Sequence, residues 1–290
     1  MQVNTVPCLF GFRLNSFLKT INSFKMKTFV FFLLASVIAI QVAAQEQFVL
    51  KSNFLNRPDT VWVFIPEDSK VDQLHPLLYL LHGWSGNYHQ WDDIIDCQTY
   101  ANRYGFIVVC PDGLYDSWYI DSPVEGENQY EQFFEKDLIP FISEKYPVDN
   151  EPVFITGFSM GGHGALYLFE KNPDYFTSAG SLSGLLDLQD WSDEYGIDRV
   201  LGLSEIENDS EILELFSVAG NTDQLNLANR PIVVSCGTED DFYKINVDFA
   251  EVCEANHIDI QFINSQGNHN SEYWHSAIKA QVEFFYRMIQ

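Results

Sequence analysis

The feature that most constrains the fold is the glycine-rich run Gly157–Ala165, whose letters GFSMGGHGA fit the pattern G-x-S-x-G. An apolar, strand-like run, Pro152–Thr156, comes before it, and the helix-like run Ala165–Phe169 follows. A serine with small neighbours between a strand and a helix is typical of a nucleophile elbow, a strained turn in which backbone segments approach closely. The pattern therefore predicts that Ser159 is a nucleophile at the end of a buried strand.

Apolar runs of strand length alternate along the chain with stretches of helix length. Continuous apolar runs indicate strands that are buried on both faces, as in a parallel sheet covered by helices on each side. The predicted buried strands are Leu77–Leu81, Phe106–Cys110, Val153–Thr156, Ala179–Leu182, Ile232–Cys236 and Ile258–Ile263, after two antiparallel edge strands, Gln47–Leu50 and Thr60–Ile65. The predicted helices are Gln90–Tyr104, Tyr130–Tyr146, Gly162–Asn172, Asp241–Asn256 and Glu272–Met288, with a helical excursion over the active-site side between Gly184 and Arg230. The fold class is thus α/β, with a mostly parallel central sheet and helices on both faces.

Residues 1–44 are predicted to be a signal peptide. Lys27 precedes the apolar run Thr28–Ile40, and small residues suitable for cleavage follow. The apolar run is shorter than the ~20 residues that span a bilayer, which argues against a membrane anchor. We expect translation to begin at Met26, residues 45–290 to form a single domain, and the protein to be secreted or periplasmic.

The charge of the chain limits its partners. The net charge is −25, and residues 1–44 hold four basic and no acidic residues, so the mature protein carries −29. Such a charge disfavours nucleic acid and anionic membrane as partners and favours neutral ester substrates, although acidity also serves solubility. The oligomeric state is not predicted. The remaining cysteines match no metal site, and no disulfide pairing is predicted among Cys97, Cys110, Cys236 and Cys253.

A serine hydroxyl needs an imidazole to take its proton and a carboxylate to orient that imidazole. In an α/β-hydrolase the chain order is serine, acid, histidine. The segment Gly237–Asp241 follows one late strand, and His269 follows the last strand beside a glycine. His269 is therefore the predicted base, and spacing leaves Asp240 and Asp241 open as the acid, each with helix capping as the alternative role.

The oxyanion formed by serine attack needs preorganised backbone N–H donors. The residue after the nucleophile, Met160, is one predicted donor, and Trp84 in the loop Leu81–Gly86 is the second. Metal ligands are not predicted. Aromatic residues in the strand-end loops are candidates for stacking on sugar or phenolic rings, with ordinary packing as the alternative. The predicted substrate-binding residues are Trp118, Tyr119 and Trp274.

With these residues located, the chain resembles the putative-esterase family of α/β-hydrolases, which includes tributyrin esterases, S-formylglutathione hydrolases, antigen 85 acyltransferases and the feruloyl and acetylxylan esterases of carbohydrate esterase family 1. The likeness rests on the segments Tyr79–Trp91, Ser117–Tyr119, Gly157–Ala165, Cys236–Tyr243 and Gly267–Trp274. It implies Ser159 as nucleophile, Asp240 as acid, His269 as base and Trp84 as oxyanion donor. The family often has a glycine where this chain has Asn268.

The resemblance also implies an esterase that works through an acyl-enzyme without metal or cofactor. The expected reaction is hydrolysis of short acyl or hydroxycinnamoyl esters, such as acetyl or feruloyl groups on plant polysaccharides. Acyl transfer to a sugar or lipid hydroxyl is an alternative. An S-formylglutathione hydrolase-like thioesterase is another, and export argues against it because glutathione chemistry is cytosolic. A non-catalytic carbohydrate-binding protein on the same scaffold is the alternative outside enzymes.

Overall fold

The computed structural model describes residues 45–70, 73–205 and 209–290, so the predicted signal peptide and the start at Met26 lie outside the described residues. The strands are β1 (Gln45–Leu50), β2 (Asp59–Phe64), β3 (His75–Leu81), β4 (Ile107–Pro111), β5 (Val148–Gly157), β6 (Ser178–Leu182), β7 (Ile232–Gly237) and β8 (Ile260–Ser265). The α-helices are α1 (Gln90–Ile94), α2 (Cys97–Tyr104), α3 (Tyr130–Phe133), α4 (Ile139–Lys145), α5 (Met160–Lys171), α6 (Ile197–Leu201), α7 (Asp209–Phe216), α8 (Thr222–Ala228), α9 (Tyr243–Ala255) and α10 (Ser271–Arg287). A π-helical turn, Phe134–Leu138, joins α3 to α4, and 3₁₀ turns occur at Gln189–Trp191, Leu203–Glu205 and Ala219–Asn221. Within these ranges no helix is long and apolar enough to cross a membrane.

The strands pair into one sheet in the order β1-β2-β4-β3-β5-β6-β7-β8. β2 is antiparallel to both of its neighbours, and the pairs from β4 to β8 are parallel. The predicted mostly parallel sheet is confirmed, but of the two predicted edge strands only β1 lies at an edge, because β2 pairs with β1 on one side and with β4 on the other. Because the chain crosses from β3 to β4 on one side and then to β5 on the other, the direction of the strand order reverses there. Ligands of open α/β sheets bind at such a switch point, beyond the carboxyl ends of the strands.

Both faces of the sheet are buried, as the continuous apolar runs predict. Along β3, Leu77 and Tyr79 pack into one apolar cluster, while Leu78 and Leu80 pack into a second cluster on the opposite face. Helices α5 and α9 cover the first face, and α2 and α10 cover the second. The alternation follows from the two-residue period of a strand.

The bounds of several predicted elements need correction; β5, for example, begins at Val148 rather than at residue 153. The predicted single helix Gln90–Tyr104 is wrong, because the chain breaks into α1 and α2 at Asp96, whose carboxylate caps α2 by accepting a 2.8 Å hydrogen bond from Thr99 N. The last strand begins at Ile260 rather than at residue 258. The segment between Gly184 and Arg230 is a series of short helices in its described residues, as predicted.

A buried glutamine joins α10 to three strands. Gln281, on α10, has no exposed surface. Its Oε1 accepts a 2.6 Å hydrogen bond from Thr156 Oγ1, and its Nε2 donates to Ser181 O at 2.8 Å and to Ser235 Oγ at 3.0 Å. A Cβ on Gly180 would lie 2.4 Å from Oε1, so only glycine leaves room for the amide. Polar contacts thus tie α10 to β5, β6 and β7.

Candidate active site

Ser159 lies on the turn between β5 and α5. Its backbone has φ 55° and ψ −122°, a conformation that is costly for any residue with a side chain. A Cβ on Gly157 would lie 2.4 Å from the carbonyl oxygen of Gly161, and a Cβ on Gly161 would lie 2.3 Å from the carbonyl oxygen of Leu81. The strand–turn–helix context of an elbow is therefore present, with glycine where the backbone leaves no space.

The structure brings together the three residues predicted to act on the substrate bond. His269 Nε2 lies 2.9 Å from Ser159 Oγ. On the other side of the ring, Nδ1 lies 3.1 Å from Oδ1 and 3.0 Å from Oδ2 of Asp240. In this arrangement the imidazole can accept the hydroxyl proton while the carboxylate holds the ring and stabilises the imidazolium that forms.

The environments of Asp240 and Asp241 decide which of the two adjacent carboxylates can serve as the acid. The side chain of Asp240 is buried, whereas Asp241 is exposed to solvent. Asp240 Oδ1 also accepts a 2.9 Å hydrogen bond from Phe242 N. The local backbone contact therefore accompanies the contact with His269 and does not compete with it, and the geometry selects Asp240.

The His269 ring is held between two aromatic side chains. Phe242 lies 4.7 Å from it and Trp274 lies 5.0 Å from it, both in edge-to-face arrangements. The backbone N–H of His269 donates to Asn268 Oδ1 at 2.7 Å. The asparagine that replaces the frequent glycine thus caps the loop locally, and His269 keeps its contact with Ser159.

The two predicted oxyanion donors, Met160 and Trp84, both have backbone N–H groups without an acceptor in the described part of the chain. Met160 is the first residue of α5, where the N–H groups have no partner within the helix. A Cβ on Gly83 would lie 3.3 Å from Ser159 Cβ, so the loop that carries Trp84 passes directly beside the nucleophile.

The predicted substrate-binding residues are less accessible than expected. Tyr119 is 0% exposed and its ring fills the space above Gly164, which argues against contact of its side chain with substrate. Trp118 is 2% exposed and packs edge-on against His163, which argues against substrate contact in the same way. Trp274 is 7% exposed and lies between Phe158 and the imidazole, so its contacts support the base.

A wall of aromatic rings borders the site instead. Trp84 lies 5.2 Å from Tyr115 and 5.6 Å from Tyr195, between ring centroids. Tyr195 is 6.1 Å from Trp191, which in turn lies 4.9 Å from Phe242. Tyr115 is 52% exposed, so this end of the wall is open to solvent. Sequence reasoning missed all of these except Trp84, since no spacing relates residues on such distant segments.

The part of the wall that comes from the segment between β6 and β7 is anchored by Arg199 on α6. Its guanidinium lies 2.7 Å from Asp116 Oδ2 and 3.3 Å from Glu127 Oε2. Trp118 Nε1 donates to the carbonyl oxygen of Tyr195 at 3.3 Å. The loop after β4 and the segment carrying Tyr195 are thereby joined by ionic and hydrogen-bond contacts.

Other reactive groups near the site are inert. Cys236 is buried, and burial, followed by the charge of Asp240, raises the pKa of its thiol to about 12. A thiol in that state does not compete as a nucleophile. In the part of the chain that the structure describes, no group of three or more His, Cys, Asp or Glu side chains is arranged to hold a metal ion.

Comparison with known proteins places this site in a family. The family model described as Putative esterase matches residues 52–285. An acetyl esterase of Caldicellulosiruptor saccharolyticus is 27% identical over 256 residues, which cover 80% of this chain and 94% of the relative. The diacylglycerol acyltransferase/mycolyltransferase Ag85A of Mycobacterium gordonae is 35% identical over 121 residues, covering 39% of this chain and 36% of the relative. A solved ferulic acid esterase aligns with a TM-score of 0.71 at 25% identity, covering 85% of this chain and 98% of the other. The chain therefore belongs to this esterase family and is a carboxylic ester hydrolase with the α/β-hydrolase fold.

Proposed function

We propose that this chain is a secreted or periplasmic serine esterase that cleaves short acyl or hydroxycinnamoyl esters, including esters of polysaccharide hydroxyls. Its triad is Ser159, His269 and Asp240. The observation that carries this proposal is the continuous path of contacts from the Asp240 carboxylate through the imidazole to Ser159 Oγ, with distances of 3.0 and 2.9 Å.

In the first half of the reaction, His269 Nε2 takes the hydroxyl proton as Ser159 Oγ attacks the ester carbonyl carbon. The carbonyl oxygen becomes an oxyanion and is stabilised by the N–H groups of Trp84 and Met160, each worth about 2.7–4 kcal/mol by precedent. The tetrahedral intermediate then collapses, and the alcohol leaves with the proton held by His269.

In the second half, His269 takes a proton from water, and the hydroxide attacks the acyl carbon of the acyl-enzyme. The intermediate collapses, Ser159 regains its proton, and the acid product leaves. Asp240 stays ionised throughout and keeps the ring in the orientation that serves both halves.

The choice of acyl group is supported by the names of the relatives, one an acetyl esterase and one a ferulic acid esterase. A neutral ester also suits a chain with a net charge of −25. The similarity to Ag85A favours a second candidate function, acyl transfer, in which a sugar or lipid hydroxyl replaces water in the second half.

The test of the triad uses variants that differ in one contact each. Ser159→Ala should lower kcat for an activated acetate ester by several orders of magnitude and abolish labelling by a fluorophosphonate probe. Asp240→Asn should also lower kcat, because an amide cannot stabilise the imidazolium, whereas its exposed neighbour variant Asp241→Asn should act as the matched control. Retention of more than about a tenth of the activity by Ser159→Ala would reject the proposed chemistry.

The substrate is tested by a hydrolysis panel of acetyl, butyryl and feruloyl esters, each with and without an attached sugar. Hydrolysis of the acetyl or feruloyl sugar esters supports the proposal, and inactivity on every ester in the panel contradicts it. Candidate acceptor alcohols are added in a parallel arm, where a transesterified product would favour the acyltransferase. N-terminal sequencing of the exported protein should begin at Gln45.

A further inference from the structure

A buried carboxylate that takes no part in the proposed ester hydrolysis lies next to the turn Asp112–Gly113, which contacts the loop that carries Trp84. Asp59, the first residue of β2, is 0% exposed. Its Oδ1 accepts a 3.0 Å hydrogen bond from Asp112 N, and its Oδ2 accepts from Gly113 N at 3.1 Å and from Tyr130 Oη at 2.9 Å. Three donors on one buried carboxylate fix the turn that follows β4.

The turn held by Asp59 contacts His82, which lies in the loop Leu81–Gly86 that carries Trp84, here called the oxyanion loop. The carbonyl oxygen of Asp112 accepts a hydrogen bond from His82 Nε2. Gly113 has φ 63°, and a Cβ there would lie 2.5 Å from His82 Nε2 and 2.4 Å from Tyr119 Oη. The hydroxyl of Tyr119 donates to the carbonyl oxygen of His82 at 3.1 Å. The imidazole is therefore enclosed by groups whose positions depend on the Asp112–Gly113 turn.

The position of His82 in turn fixes the position of the next residues of the oxyanion loop. With Nε2 as the donor to Asp112, Nδ1 of the neutral ring only contacts the carbonyl oxygen of Gly83, at 2.7 Å. The hydrogen bond from Tyr119 to the His82 carbonyl oxygen holds the backbone that continues into Gly83, which lies against Ser159. Two residues after Gly83, Ser85 N donates to the carbonyl oxygen of Tyr115 at 2.7 Å, which ties the far side of the loop to the segment after β4. The N–H of Trp84 lies between these two attachments.

We propose that Asp59 is a positioning residue for the oxyanion hole: its carboxylate holds the Asp112–Gly113 turn and, through His82, the backbone N–H of Trp84. The inference rests on the proposed function, because it assigns Asp59 to the same reaction. It adds a residue that touches neither substrate nor triad.

The charged form of Asp59 is the one that holds the turn, since every recorded partner is a donor. Burial, followed by the charge of Asp112, raises the pKa of Asp59 to about 7, and the three donors oppose that shift. Asp112 itself is paired with Arg57 at 2.9 Å, and the other ionisable groups around the carboxylate are Tyr119, Tyr130 and His82. Protonation replaces an acceptor site with a hydroxyl that faces donors, which loosens the turn.

The experiment compares kcat for an acetate ester between the wild type and Asp59→Asn from about pH 5.5 to about pH 8.5, counted per fluorophosphonate-reactive site. Loss of an oxyanion donor costs about 10²–10³ in kcat, so misplacement of one donor should lower kcat about tenfold at the alkaline end, with little change in KM. At the acid end the wild-type residue is already neutral, so the ratio of the two kcat values should approach one. A purely structural role would lower stability without making this ratio depend on pH.

Glu170→Gln is the matched control. Like Asp59, Glu170 is a buried carboxyl group, but it lies on α5 and, among the described residues, makes no hydrogen bond to the oxyanion loop. Its kcat ratio to the wild type should stay near one at every pH. If Asp59→Asn does not fold, Tyr130→Phe replaces it: it removes one donor, so the pH at which kcat rises should move upward. A kcat ratio that is flat with pH in the variant that folds, while the probe still labels Ser159, overturns the positioning role and leaves the proposed function standing.

Discussion

Replacing Gln281 with methionine is expected to destabilise the protein without changing the volume of the core greatly. The substitution leaves the hydroxyls of Thr156 and Ser235 without their recorded partner in a region that has no exposed surface. An orphaned buried polar group costs about 1–3 kcal/mol, so two of them cost about 2–6 kcal/mol, and we expect about 4 kcal/mol. The measurement is the free energy of unfolding from urea titrations of Gln281→Met and the wild type at neutral pH.

A double-mutant cycle separates the hydrogen bond from packing. Thr156→Val alone removes the donor to Gln281 Oε1, and the double variant Thr156→Val with Gln281→Met removes both partners. Because the Thr156 hydroxyl and the Gln281 amide oxygen disappear together, while Ser235 is orphaned in both Gln281 variants, the double variant should lose at least about 1 kcal/mol less than the sum of the single variants. A loss below about 1 kcal/mol for Gln281→Met, or strict additivity, would refute the reasoning.

Two further predictions follow from the environment of Ser159. Burial lowers the pKa of His163 from 6.5 to about 4, so its neutral form contributes stability that is complete above pH 6.5 and is lost as the pH falls through about 4. His163→Gln can keep the donor to the carbonyl oxygen of Phe216, so urea titrations should show the wild type losing about 3 kcal/mol more than the variant between about pH 7 and pH 4, and equal losses would count against the assignment. Gly161→Ala brings a Cβ to 2.3 Å from the carbonyl oxygen of Leu81 and 2.5 Å from that of His82, so it should abolish fluorophosphonate labelling, and normal labelling kinetics would contradict the packing argument.

The sequence was sufficient to predict that Ser159, Asp240 and His269 lie together, because each of them follows a buried strand. Parallel strands end at one edge of the sheet, so Ser159 after β5, Asp240 after β7 and His269 after β8 had to converge there. Spacing could not separate Asp240 from Asp241, since adjacent residues share the same loop. Only their burial distinguishes them.

Backbone conformation explains why the aromatic side chains of the loop after β4 are buried rather than exposed as the sequence suggested. Trp118 and Tyr119 have φ 53° and 62°, and the glycine at position 164 leaves space for the Tyr119 ring. Residue preferences do not predict positive φ at two consecutive non-glycine residues. The sequence therefore suggested a loop whose aromatic side chains face solvent. Asp59 posed the same difficulty, because an acid beside a predicted edge strand is expected to be exposed, whereas β2 lies inside the sheet and Asp59 is buried.

The contacts of Arg199 with Asp116 and Glu127 have a consequence for engineering the mouth of this enzyme. Replacing the segment between β6 and β7 with that of a relative would remove Arg199. Asp116 and Glu127 would then remain without their basic partner. Chimeras that exchange this segment together with residues 113–129 should fold and express better than chimeras that exchange either piece alone. Libraries aimed at larger acyl groups are therefore best built on the joined unit.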